Sequence, residues 1–304
     1  MEKYVVIVFE EYRKEIKMDN LDFKNPEYNN ASVTIWSYLD FGYYPQTEVK
    51  RNEITTDIRQ AEYDQDGDAW VNGVKYRRIS RDDAENAEYF GNDAFRYFKW
   101  EKIKWRVLQN NGKTLFVMAD KGIDCKAYNN VNESVDWEHC TIRRWLDNDF
   151  YNTAFDNAEQ KAIVPHEVEN GPVPGKYMGD GGNNTIDKIY ILSIPELRSP
   201  AYGFWDDRMD WGYKKRDKKI NRRIKASDYA HARGAWLCTD TRVVGRACRN
   251  NCRWWLRSPC SYTKYGAEVL ETGQIIDVGF HTYIFRNAVV PVMHISLEEL
   301  SNII

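Results

Sequence analysis

Two apolar runs, Ile103-Lys104-Trp105-Arg106-Val107-Leu108 and Thr114-Leu115-Phe116-Val117-Met118, flank Asn110-Asn111-Gly112. Asn-Gly supplies the positive φ angles of a tight turn, so the two runs predict an antiparallel hairpin. Further short strands are predicted at Lys188 to Ser193, Trp254 to Arg257, Ala267 to Leu270, Gln274 to Val278 and Ala288 to Ile295. A turn at Glu271-Thr272-Gly273 joins two of them into a second hairpin. Helical signals lie earlier. Asp136 can cap Trp137 to Asp147, where Trp137, Thr141, Trp145 and Ile142, Leu146 recur at helical spacing. Asp156 with Glu159 three residues later predicts a capping-box start for a helix over 157–163, which Pro165 stops. The glycine-rich stretch Gly171 to Asn184 predicts a loop. With no βαβ alternation, the expected class is α+β with a mainly antiparallel sheet.

Composition narrows the function classes. In 304 residues, 43 Lys and Arg face 46 Asp and Glu, a net charge of −3 that gives no global electrostatic case for a nucleic-acid or membrane-surface protein. The apolar run Tyr4 to Phe9 ends at Glu10 and Glu11, and no stretch approaches the roughly 20 apolar residues of a membrane span, so the expected location is cytoplasmic. Eleven Trp, twenty Tyr and twelve Phe stand out in a chain whose mean hydropathy is −0.70, because such rings suit both a core and a binding surface. Residues 1–30 read as an N-terminal extension and 31–304 as one domain, with a polar insertion at about 47–95.

The chemistry-bearing residues form no recognised catalytic pattern. Cys125, Cys140, Cys238, Cys248, Cys252 and Cys260 are too few for a disulfide scaffold and read first as free buried thiols, a redox pair or metal site being the alternatives. Asp64, Asp66 and Asp68 suggest a calcium loop, but an EF-hand register would place Gly and Glu where Ala69 and Lys75 stand, so an acidic turn is expected. The run Tyr213 to Lys225 carries eight basic residues; a solvated segment is favoured over nucleic-acid binding. His139, His166, His231, His281 and His294 show no metal-ligand spacing, and phosphate loops and nucleophile elbows are lacking. The Asp206-Asp207 pair reads as surface solvation.

Several ordered segments carry a family resemblance. They are Phe41-Gly-Tyr-Tyr-Pro-Gln46, Trp100 to Leu108, Trp137 with Thr141 to Leu146, Phe150 to Phe155, Thr185 to Ser193, Tyr229 to Ala235 and Trp254-Trp-Leu-Arg-Ser-Pro259. Together, over about residues 35–296, they resemble the bacterial domain-of-unknown-function family numbered six-two-seven-three. That family is similar to the C-type-lectin-like fold, shared by lectins, formylglycine-generating enzymes and the variable proteins of diversity-generating retroelements. The resemblance implies two helices packed on a twisted, mainly antiparallel sheet, with ligand displayed on long irregular loops. It implies no reaction, since one fold hosts many functions. Where the family ends on Val-Arg-Pro this chain has Val289-Val290-Pro291, and Arg286 is the nearest substitute. The Glu-Pro-Asn-like and Trp-Asn-Asp-like triplets of calcium-dependent lectins are missing, although neither calcium nor copper is excluded as a cofactor.

In the Trp254–Pro259 signature, alternation in a strand puts at least one of Trp254 and Trp255 in the core and makes Arg257 a buried, paired residue fixing loops to the sheet. The candidate ligand residues are Tyr262, Tyr265, His281, Tyr283, Phe285, Arg286 and Asn287, for tyrosine and arginine carry interface energy. Core filling beneath a loop is the competing reading. The expected function is a non-catalytic module binding a protein or glycan through its C-terminal loops. The alternatives are a formylglycine-generating type of metal-dependent oxidase or transferase using Cys248 and Cys252, and a retroelement-diversified variable protein.

Overall fold

The computed structural model describes residues 22–29, 33–82, 87–171, 179–204, 221–239, 248–260 and 262–304. The apolar run Tyr4 to Phe9, Asp206-Asp207, most of the basic run before Asn221 and part of the glycine-rich loop lie outside the described residues.

The predicted hairpin is the spine of the larger sheet. Strand Phe95–Asn110 turns at Gly112, with φ of 84°, into strand Thr114–Ala119. Tyr38–Glu48 runs antiparallel along Phe98 to Arg106, and Val74–Ser80 pairs with Phe95 to Lys99. Asp68–Val71 adds the outermost strand on that side. The strands described within residues 47–95 thus continue the main sheet, and Val49, Ile58, Val71, Tyr76 and Tyr97 form a satellite core beneath them. Pro291–Ser296 pairs with Thr114–Ala119, and Ile163–Val164 and Ile189–Ile191 pair with it in turn, giving eight strands.

The second sheet has five strands in the order Ile275–His281, Tyr265–Val269, Trp254–Pro259, Ala288–Val289, Asp124–Cys125. The turn Glu271-Thr272-Gly273 closes its hairpin as expected, with Gly273 at φ of 82°. One expectation needs correction: Ala288 to Ile295 is two strands. Val290 is the buried hinge at which the chain leaves the second sheet for the first. The segment from Thr114 to Cys125 makes the same passage. Both crossings join the sheets through one hydrophobic core. Pairing is antiparallel throughout both sheets except between Trp254 and Ala288, so the molecule is α+β with large antiparallel sheets and short helices.

Trp254 and Trp255 are both 0% exposed, because strand Trp254–Pro259 is covered on both faces. Arg257 lies beneath the surface, paired with Glu196 and donating to the Ile191 carbonyl at 2.9 Å and the Glu169 carbonyl at 3.3 Å. Burial alone would raise the Glu196 carboxyl, but the Arg257 charge and hydrogen bonds from Arg257 and Ser193 outweigh it and hold the group below its ordinary range.

The helix expected from Trp137 begins at Thr141. Asp136 does accept the His139 amide at 3.0 Å, but this closes a turn rather than a helix. The rod then outlasts the expectation: α-helical Thr141–Trp145 continues through a π turn, Leu146–Phe150, into Tyr151–Ala154. Its core residues Ile142, Leu146, Phe150 and Ala154 recur every four positions. An ideal helix repeats every 3.6, and the wider π turn absorbs the excess. The helix Asn157–Ala162 has the expected capping box, and Glu159 also accepts the amide of Gly42 at 3.0 Å.

Candidate functional site

The C-terminal candidates fall in four places. Tyr262, 61% exposed, starts a surface ladder of rings: Tyr262 to Tyr265 at 5.5 Å, Tyr265 to His281 at 4.4 Å, and His281 to Tyr283 at 5.5 Å. The Tyr265 hydroxyl and His281 Nε2 are hydrogen-bonded at 3.2 Å. Arg286 instead lays its guanidinium 4.1 Å from the centre of the Phe280 ring. Asn287 is 0% exposed and donates to the buried Glu268 carboxylate at 2.8 Å, so it anchors the loop and offers no surface to a ligand. Phe285, 36% exposed, points elsewhere, into a groove that none of the other six lines.

That groove consists of two cavities of about 940 and 560 Å³ that share Lys126, Trp145 and Arg233. The rod Thr141–Ala154 forms one wall. Trp145, Asn148, Asp149, Asn152 and Thr153 face the groove at positions i, i+3, i+4, i+7 and i+8, joined by Thr141, Ile142 and Arg144 from the first turn of the rod. The turn at Asp64 to Asp68 and strand Val74–Ser80 form the far wall of the larger cavity, and Tyr229 and Arg233 come from the short helix Asp228–Ala232 and its C-terminus. Rings pave the inside: Tyr44 lies 5.2 Å from Phe150, 5.7 Å from Tyr229 and 6.0 Å from Trp100.

Charges in the larger cavity are held in place by one another. The Asp68 carboxylate accepts from Arg77, from Lys75 at 3.0 Å and from the Trp100 indole at 2.9 Å. Burial would raise it, but the hydrogen bonds and charge of Arg77, with help from Lys75 and Trp100, win and keep it ionised below the usual carboxylate range. Lys75 Nζ also sits 3.6 Å from the centre of the Trp100 ring. Tyr44 donates to Asp124 at 2.7 Å, and burial together with that carboxylate pushes its phenol well up. Burial, then Asp124, pushes Tyr229 up to about 12. These phenols stay protonated at neutral pH. No histidine or cysteine lines either cavity among the described residues.

The remaining chemistry-bearing residues lie apart from the groove. All six cysteines are buried, and Cys125, Cys140, Cys248, Cys252 and Cys260 are free thiols. Burial pushes the Cys140, Cys252 and Cys260 thiols up to about 12, and a protonated thiol is a poor nucleophile or metal ligand. The Asp64 carboxylate accepts the amides of Asp66 and Asp68 at 3.0 and 2.8 Å, the acidic turn expected from sequence. Among the described residues only Asp136, Glu138 and His139 bring three potential metal-ligand side chains within 4.8 Å, and His139 Nδ1 already bonds Asp136 at 2.7 Å.

Sequence reasoning missed Lys126, Trp145, Asn152, Thr153 and Arg233 as a group. The signal was present in the rod, where Trp145, Asn148, Asn152 and Thr153 keep helical spacing. Fold and groove together define an α+β domain with a polar, ring-paved cleft. The chain belongs to the family described as a domain of unknown function, DUF6273, whose model matches residues 111–297, more than half of its length. The matched segment supplies every lining residue of the smaller cavity, while the far wall of the larger one precedes it. No curated protein and no solved structure matches the chain.

Proposed function

We propose that this protein is a non-catalytic binding module that takes a glycan in the groove centred on Lys126, Trp145 and Arg233. The observation that carries the proposal is the lining of that groove: a half-buried tryptophan, Asn148, Asn152 and Thr153 along one helical rod, with paired charges beneath them. Rings that stack on sugar faces and fixed polar groups that bond hydroxyls are what a polyhydroxylated ligand needs. The C-type-lectin-like likeness belongs to this proposal, as does a cytoplasmic setting. The latter agrees with the five free buried thiols, and among the described residues no helix is long and apolar enough to cross a membrane.

The ring ladder Tyr262-Tyr265-His281-Tyr283 favours a second reading, contact with a protein, because clustered tyrosines that reach the surface, one exposed and two half-buried, are typical interface anchors. A glycan array probed with the wild type, Trp145→Ala and Tyr262→Ala separates the two. The groove reading expects binding that Trp145→Ala abolishes and Tyr262→Ala retains. An array on which no glycan binds overturns it.

A further inference from the structure

Among the described residues, the smaller cavity of the groove is lined by more cationic groups than carboxylates. In the smaller cavity Lys126, Arg144 and Arg233 face a single carboxylate, Asp149. Lys126 is half-buried, its Nζ 4.9 Å from the centre of the Trp145 ring, and it has no carboxylate partner among the described residues. Arg144 has none either. Arg233 lies 3.8 Å from Asp124, which also accepts from Tyr44. In the larger cavity Asp68 is engaged by Arg77 and Lys75, Asp124 lies against Arg233, and Asp64 and Asp66 belong to the acidic turn of the far wall; none of the four is paired with Lys126. The chain as a whole has a net charge of −3, and this local excess therefore runs against its composition. A partly buried lysine whose charge meets only the face of a tryptophan ring recovers little of the hydration it gives up, and a ligand anion would supply a stronger partner.

From this geometry we infer that the ligand is an acidic glycan. Its carboxylate or sulfate seats at the waist of the groove against Lys126, with Arg144 at the outer rim. Trp145 and Phe285 flank the site as the two rings of the smaller cavity. This rests on the groove reading above and adds the charge of the ligand to it.

The test is a glycan array that pairs acid-bearing glycans, both carboxylated and sulfated, with the same glycans lacking the acid group, followed by titration of the best pair. The wild type is expected to bind the acidic member about ten- to a hundredfold more tightly, the worth of a charge-assisted hydrogen bond. Lys126→Gln should bring that member down to the level of its neutral parent, and added salt should erode the same difference. Arg144→Gln, at an exposed position where folding is not at stake, should remove part of it. Comparing the carboxylated and sulfated arms identifies which acid is preferred. Equal binding of acidic and neutral members, still dependent on Trp145, overturns the inference and leaves the groove reading standing. Binding of no glycan overturns both.

Discussion

At the scale of single residues, Gly42 shows how closely the larger sheet fits the helices. It sits at a bulge in strand Tyr38–Glu48 with φ of +72°, and a Cβ there would lie 2.5 Å from the Phe155 ring. Gly42→Ala should therefore cost about 2–4 kcal/mol, from left-handed strain and overpacking together, read as a lower midpoint in chemical denaturation. Arg257 is as sensitive for a different reason. Arg257→Met would leave Glu196 without its counter-charge, an expected loss of about 3–5 kcal/mol. His294 gives a pH signature. It stacks 3.9 Å from His166 and 4.6 Å from Phe116 and bonds the Tyr190 hydroxyl at 3.0 Å. Burial, reinforced by His166, lowers it to about 3. The folded state keeps this imidazole neutral where the unfolded chain, with an ordinary value near 6.5, takes up a proton. Stability should accordingly fall as pH drops below about 6.5, by up to roughly 1.4 kcal/mol per pH unit until the folded-state value is reached. His294→Gln should flatten that slope in denaturation curves collected between neutrality and mild acid.

At the scale of elements, the local signals were the legible ones. Asn110-Asn111-Gly112, the Asp156/Glu159 capping box and the Glu271-Thr272-Gly273 turn each specify their geometry within a few residues, and each appears as expected. Asp136 shows the limit of such signals, since its bond to the His139 amide closes a turn as readily as it starts a helix. The break at Val290 was illegible because both halves of Ala288 to Ile295 are apolar strands, and only the long-range pairing partners differ. The capping box also does more than end a helix. Asp156→Ala removes the acceptor for the Ala158 and Glu159 amides and loosens Glu159, which holds the Gly42 amide. The expected cost is about 1 kcal/mol, with faster hydrogen exchange at Gly42 as the distinguishing readout.

At the scale of the whole molecule, the aromatic excess resolves into separate roles. Trp105, Trp137, Trp254 and Trp255 are buried and hold the two sheets and the rod together. The Trp254–Pro259 signature announced that fold role in its alternation. The candidate site was less legible, for Lys126, Trp145, Arg233 and Phe285 are scattered over 160 positions and meet only once both sheets are assembled. Of the seven residues read from sequence as ligand contacts, Phe285 alone lines the groove. The account's central claim is that this groove, rather than the exposed tyrosine ladder, receives the ligand. Binding of the strongest array glycan, titrated against Trp145→Ala and Tyr262→Ala with matched melting curves, tests it most directly. The claim predicts loss of binding in Trp145→Ala and wild-type affinity in Tyr262→Ala; the reverse pattern would contradict it.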